Sequence, residues 1–149
     1  MTSQETPKII IDIKTPEDSD GRRESLLAVD AALARKALQP VLLNVTGMCS
    51  YTNFILVVSG RSDRQVDAIA ESVVVSLKSV GIHPLGAEGR GSGQWVLIDY
   101  GDMVVHVFHH PIRDHYDIES LWIDAERVPL DLPDDAMPRP EDSYPALSG

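Results

Sequence analysis

The stretch from Ile98 to His110, IDYGDMVVHVFHH, places Asp99 and Asp102 beside His106, His109 and His110, with His115 close behind. Such residues could hold a metal ion, exchange protons with a substrate, or serve a turn and a docking surface. Metal binding fits poorly. Strand alternation sends His106 and His109 to opposite faces, and the neighbours His109 and His110 point their rings apart. The H-E-x-x-H spacing is also missing. Paired carboxylates can do acid/base work when their environments differ, but Asp102 sits where turns favour a residue that caps backbone N–H groups. Asp99, beside Tyr100, reads better as a surface-recognition group.

Two glycine-bearing loops invite a phosphate. Gly89-Arg90-Gly91-Ser92-Gly93 leads into a strand, so no helix N-terminus would face the anion, and it reads as a flexible loop. Gly60, Arg61, Ser62 and Arg64 do connect a strand to a helix and form a candidate anion site, although Asp63 itself neutralises that helix end. Cys49 has no base placed beside it and reads as a small buried hydrophobe. No catalytic residue, metal or cofactor is expected.

The elements that position these residues follow from periodicity. Leu26, Val29, Leu33, Ala34, Ala37 and Leu38 predict a helix that Pro40 stops. Val41 to Val45 and Phe54 to Val58 predict two strands joined as a hairpin. Ser62 and Gln65 have the spacing of a capping box, and Val66, Ile69, Ala70, Val73, Val74, Leu77 and Val80 form the apolar stripe of a helix closed at Gly81. Trp95 to Tyr100 and Met103 to Phe108 flank Gly101-Asp102 as a two-residue hairpin. The second strand is apolar on both faces, with Met103, Val105 and Val107 opposite Val104, His106 and Phe108, so it belongs inside the sheet. His106 is expected to be a hydrogen-bonded core histidine. Ile112 to Trp122 predicts a short third helix after Pro111. The fold class is α/β, a mixed sheet flanked by helices.

The chain of 149 residues is 43% hydrophobic, enough for one domain with an ordinary core. Its 13 basic and 23 acidic residues give a net charge of −10, which opposes non-specific adhesion to nucleic acid and anionic lipid. One cysteine excludes a disulfide framework, and no run matches a signal peptide or a membrane span, so a soluble cytoplasmic protein is expected. Residues 1–21 read as a mostly flexible acidic arm in which Ile9-Ile10-Ile11 could pair or dock. Residues 22–128 read as the domain, and 129–149, with five prolines and five acidic residues, as a loose tail.

Three blocks in order resemble the ribosomal silencing factor family, also called Iojap. They are YTNFILVVSGRSDRQV from Tyr51 to Val66, PLGAEG from Pro84 to Gly89 with WVLIDYGDMVVHVF from Trp95 to Phe108, and Arg113, Tyr116, Asp117, Glu119, Leu121 and Trp122. The likeness runs from about Leu26 to Ala125. It implies a non-enzymatic translation factor that binds the large ribosomal subunit through its L-series protein number fourteen. Docking there would block joining of the small subunit and repress translation when nutrients are scarce. It implies a fold similar to nucleotidyltransferase domains without their catalytic machinery, and no D-x-D on a predicted strand supplies the carboxylates that metal-dependent transfer needs. The family's recognition surface maps to Trp95, Asp99 and Tyr100 with Gly101 and Asp102 at the turn. Arg113, Tyr116 and Glu119 are left for surface contact, and Leu121 and Trp122 for packing. The family usually has Asp where this chain has Asn44 and Asn53. The alternatives are a metal-dependent nucleotidyltransferase or nucleotide-binding enzyme using Arg61 to Arg64 and Asp99, and a homodimeric scaffold.

Overall fold

In the computed structural model, which describes residues 21–143, the elements in chain order are α1 (Arg22–Leu33), β1 (Leu38–Asn44), β2 (Phe54–Gly60), α2 (Asp63–Lys78), β3 (Gly86–Glu88), β4 (Trp95–Asp99), β5 (Met103–His109), α3 (His110–Tyr116), a 3-10 turn (Ile118–Trp122) and β6 (Glu126–Arg127). Two further 3-10 turns, Asp134–Ala136 and Pro140–Ser143, follow. The strands form one mixed sheet in the order β3-β4-β5-β2-β1-β6. The Ile9-Ile10-Ile11 run and the last six residues lie outside the described range.

Strands without a polar face need cover on both sides, and the two that meet this description, β2 and β5, pair in parallel at the centre with Leu56 opposite Val105. On one face Leu42, Phe54, Leu56, Val58, Val96, Ile98, Met103, Val105 and Val107 pack against Ala28 and Ala32 of α1 and Val66, Ile69, Val73 and Leu77 of α2. On the other, Val41, Leu43, Val45, Ile55, Val57 and Phe108 meet Cys49, Trp95, Ile112, Ile118, Trp122 and Ala125. Each fully buried large side chain, such as Phe54 or Phe108, contributes about 1.5–3 kcal/mol relative to exposure. Among the described residues no long helix covers the second face.

Several boundaries differ from those expected of the sequence. Helix α1 stops at Leu33 instead of running to Pro40, because Lys36 takes the left-handed region at φ 64°. Ala37 N–H then reaches the Ala32 carbonyl at 3.1 Å and Lys36 N–H that of Leu33 at 2.9 Å, the paired bonds of a Schellman end. Leu38 opens β1, and the pairing with β2 shifts register between Leu38 and Val41, where Gln39 also has positive φ. The third helix is broken at Asp117, at φ 46°, into α3 and the 3-10 turn.

Ser62 caps α2 by accepting from Gln65 N–H at 3.1 Å, as its spacing predicts. The Gln65 side chain, however, does not return to Ser62. Its Oε1 accepts from Arg61 N–H at 2.6 Å, and its Nε2 donates to the carbonyls of Arg35 and Lys36, both at 3.0 Å. One amide thereby ties the end of α1 to the start of α2.

Residues 129–143 make contacts with the domain. Ala136 and Asp142 are buried, and Asp142 accepts from Arg61 Nε at 3.2 Å and from Arg139 N–H at 2.7 Å. The loop at residues 89–93, expected to be flexible, is likewise pinned. Arg90 Nη2 bonds Glu71 at 2.6 Å, Gly91 N–H bonds Asp67 at 3.2 Å, and Gly93, at φ +73°, lies so close to Asp63 that any side chain would collide with it.

Candidate functional site

The β4–β5 hairpin is built on register: Trp95 opposes Phe108, Leu97 opposes His106, and Asp99 opposes Val104. Tyr100 N–H closes the turn on the Met103 carbonyl at 2.8 Å. Asp99 accepts from Gly101 N–H at 2.8 Å, and Gly101, at φ +89°, needs the freedom of glycine. The Asp102 carbonyl takes N–H bonds from Asn53 and Phe54, both at 3.1 Å, while its side chain stays exposed. Gly101 and Asp102 are thus explained as a turn.

Alternation divides the expected docking edge. Trp95, Leu97 and Asp99 share the face away from α1 and α2, whereas Tyr100 packs against the helix-covered core. The Tyr100 hydroxyl is buried without a hydrogen-bond partner, and burial, opposed by the nearby Arg90 charge, raises its pKa.

Trp95 is the centre of an aromatic cluster. Its ring centroid lies 4.6 Å from that of Phe108, 5.1 Å from Tyr116 and 5.9 Å from His106. Its indole Nε1–H donates to His106 Nδ1 at 3.1 Å. His106 is therefore the hydrogen-bonded core histidine its strand position suggests, and burial lowers its pKa to about 4. The other imidazoles go elsewhere: His109 Nδ1 lies 3.8 Å from Asp63, and His110 Nδ1 lies 2.8 Å from Ser59 Oγ. Among the described residues no group of three or more His, Cys, Asp or Glu side chains is placed to hold a metal ion.

Arg113 and Glu119, expected at the surface, face inward. Arg113 is 3% exposed and forms a two-pronged pair with Glu119, Nε to Oε1 at 3.1 Å and Nη2 to Oε2 at 3.0 Å. Its Nη1 donates to Ser59 Oγ at 3.0 Å. Ser59 gives no signal in the sequence, since it lies inside an apolar strand, and His110, weighed there only as a metal or acid/base candidate, gives no sign of this pairing. Their contact resembles an activated nucleophile, but Arg113 occupies the same oxygen and both residues are sealed in the interior. Burial lowers the His110 pKa against the opposing pull of Asp114.

The candidate anion loop is already occupied from within. Arg61 is held by Asp142, whose pKa burial alone would raise; the Arg139 N–H and the Arg61 and Arg139 charges outweigh that and hold it below the usual range. Gly60 lies against Val66, and Ser62 is spent on its cap. Arg64 instead lines a shallow cleft of about 370 Å³ with Ala34, Arg35, Lys36, Ser62, Gln65 and Ala68.

Several large apolar side chains are exposed on the helix-poor side. Tyr116 is 55% exposed, Leu121 75% and Ile123 78%, and Met48 and Tyr51 project from the loop whose Cys49 packs beneath. Leu121 therefore does not pack as expected. Trp122 does, because the 3-10 turn directs it inward and leaves its neighbours out.

The model of the family described as ribosomal silencing factor during starvation matches residues 18–146. The chain belongs to the ribosomal silencing factor family. It is 45% identical over 98 residues to a ribosomal silencing factor of Chromobacterium violaceum, covering 66% of this chain and 80% of the relative. The counterpart from Halalkalibacterium halodurans is 44% identical over 105 residues, 70% of this chain and 90% of the relative. The chloroplastic Iojap protein of Arabidopsis thaliana is 29% identical over 136 residues, 86% of this chain and 56% of the relative. A crystal structure from Chromobacterium violaceum superposes with a TM-score of 0.67 at 39% identity, covering 75% of this chain and 92% of that one. A second, from Bacillus halodurans, gives 0.63 at 42% identity, with 70% and 95% covered. The silencing factor fold is thus the mixed sheet described above. Among the described residues no helix is long and apolar enough to cross a membrane.

Proposed function

We propose that this silencing factor binds the large ribosomal subunit through its L-series protein number fourteen, blocks joining of the small subunit, and so represses translation under nutrient limitation. It acts in the cytoplasm by occlusion, without catalysis. The observation that supports this reading best is the half-buried Trp95 of β4 with the exposed Tyr116 against its ring, on the face that also carries Leu97 and Asp99, while Leu121 and Ile123 are exposed in the segment after α3. Aromatic anchors with few rotamers and a desolvated centre are what tight protein docking uses. The net charge of −10 favours a basic partner and discourages wandering over RNA.

The test is a pairwise binding assay with the purified ribosomal protein. Trp95→Ala is expected to weaken binding by about 2 kcal/mol or more, and Asp99→Lys to slow association with a changed salt dependence. Tyr100→Phe, on the opposite face, is expected to leave affinity unchanged. Full binding by both Trp95→Ala and Asp99→Lys would remove the proposed surface.

A further inference from the structure

Among the residues of β5 on the helix-poor face, His106 has a chemical property that packing alone does not require. Val104 and Phe108 fill space on either side of it, and its ring lies nearly parallel to that of Phe108 with centroids 6.0 Å apart. A leucine would fill the same volume. His106 instead turns Nδ1 toward the next strand and accepts the Trp95 indole N–H at 3.1 Å. Because Trp95 opposes Phe108 and Leu97 opposes His106, the bond is a diagonal one, reaching one register step along the neighbouring strand. The acceptor must be an unprotonated Nδ1, so the ring proton sits on Nε2.

The consequence falls on Trp95. This side chain is half-buried at the start of β4, with Phe108 and Tyr116 against it. Those ring contacts restrict the plane of the indole but not which edge faces inward. Rotation of the ring by half a turn would keep much of the stacking and carry the N–H away from any acceptor. The hydrogen bond removes that alternative, because a half-buried N–H without a partner is costly. We infer that His106 is a positioning residue which fixes the rotamer of Trp95, presenting one edge of the indole to the partner before docking. The inference rests on the docking role proposed above for Trp95, and extends it to a side chain that is itself buried. Restricting an anchor in its bound rotamer reduces the ordering cost of association.

The variants that separate acceptor from volume are His106→Leu, which keeps bulk and removes the acceptor, and His106→Asn, whose side-chain oxygen can stand near the Nδ1 position. Two measurements apply to the full-length chain. The first is the indole N–H resonance of Trp95 by NMR, distinguished from that of Trp122 with Trp95→Phe. The second is affinity for purified bacterial large ribosomal subunits. His106→Leu is expected to shift that resonance, speed its solvent exchange and weaken binding about 3- to 10-fold, the range for freeing one side chain. His106→Asn is expected to restore both.

Unchanged resonance and affinity in His106→Leu would overturn the positioning role, and so would equal weakening by Leu and Asn, which would mean that ring packing alone matters. If His106→Leu fails to fold, His106→Asn decides between the two by the same resonance. Trp95→Ala is run alongside. Undiminished binding in that variant would overturn the docking reading itself, a result distinguishable from a wild-type-like His106→Leu in a background where Trp95→Ala does lose affinity.

Discussion

Replacing Glu119 with alanine tests whether the pair it forms with Arg113 belongs to the interior. Arg113 is 3% exposed, and Glu119 supplies the acceptors for its Nε and Nη2 at 3.1 and 3.0 Å. The remaining bonds, from Nη1 to Ser59 Oγ at 3.0 Å and to the Leu38 carbonyl at 3.5 Å, are to neutral groups. Glu119→Ala therefore leaves a guanidinium buried without a counter-charge. Breaking a buried pair from one side costs about 3–5 kcal/mol, whereas removing both partners costs much less. With a urea slope of about 2 kcal/mol/M, the midpoint should fall by about 1.5–2.5 M. The double variant Arg113→Met with Glu119→Leu should recover at least half of that loss, and the folded fraction of each protein should keep its affinity for the partner. Equilibrium urea unfolding followed by Trp fluorescence and by circular dichroism gives the numbers and checks that the transitions coincide. A loss below about 1 kcal/mol in Glu119→Ala, the range of a surface pair, would refute the structural assignment.

Acid should destabilise the protein through His106. Its folded pKa of about 4 lies below the ordinary 6.5, so the unfolded chain binds the proton more readily and stability falls as pH drops from about 6.5 to about 4. The shift corresponds to about 3 kcal/mol, and a pH series of urea melts should lose that component in His106→Leu. Asn44→Asp should destabilise the β1–β6 edge, because Asn44 Nδ2 donates to Glu126 at 3.2 Å and an aspartate there would face another carboxylate; the loss should shrink when Glu126 is changed to Gln. Asp142→Asn should loosen residues 133–143 from Arg61, seen as faster protease cleavage in that segment with the core still intact.

The sequence revealed what depends on local period and turn chemistry. The β4–β5 hairpin follows from Gly101-Asp102 between alternating runs, and the interior place of β5 from its two apolar faces. The cap at Ser62 follows from its spacing to Gln65. What escaped depends on which distant groups meet. Nothing near Arg61 announces Asp142, 81 residues away. Nothing near Arg113 shows that Ser59 and Glu119 will enclose it. The end of α1 escaped because an alanine-rich helix and a strand beginning at Leu38 have similar apolar content, and Lys36 in a left-handed conformation has no strong signature. The split between Asp99 and Tyr100 is a different case, since alternation along β4 already places them on opposite faces.

Occlusion of the large subunit is measured directly by sedimentation through a sucrose gradient of purified small and large subunits mixed with the protein under conditions that favour joining. The protein should travel with the large subunit, the joined-ribosome peak should shrink as the protein is added, and Trp95→Ala should leave the joined peak intact. A protein that remains at the top of the gradient while the subunits join at full yield would contradict occlusion.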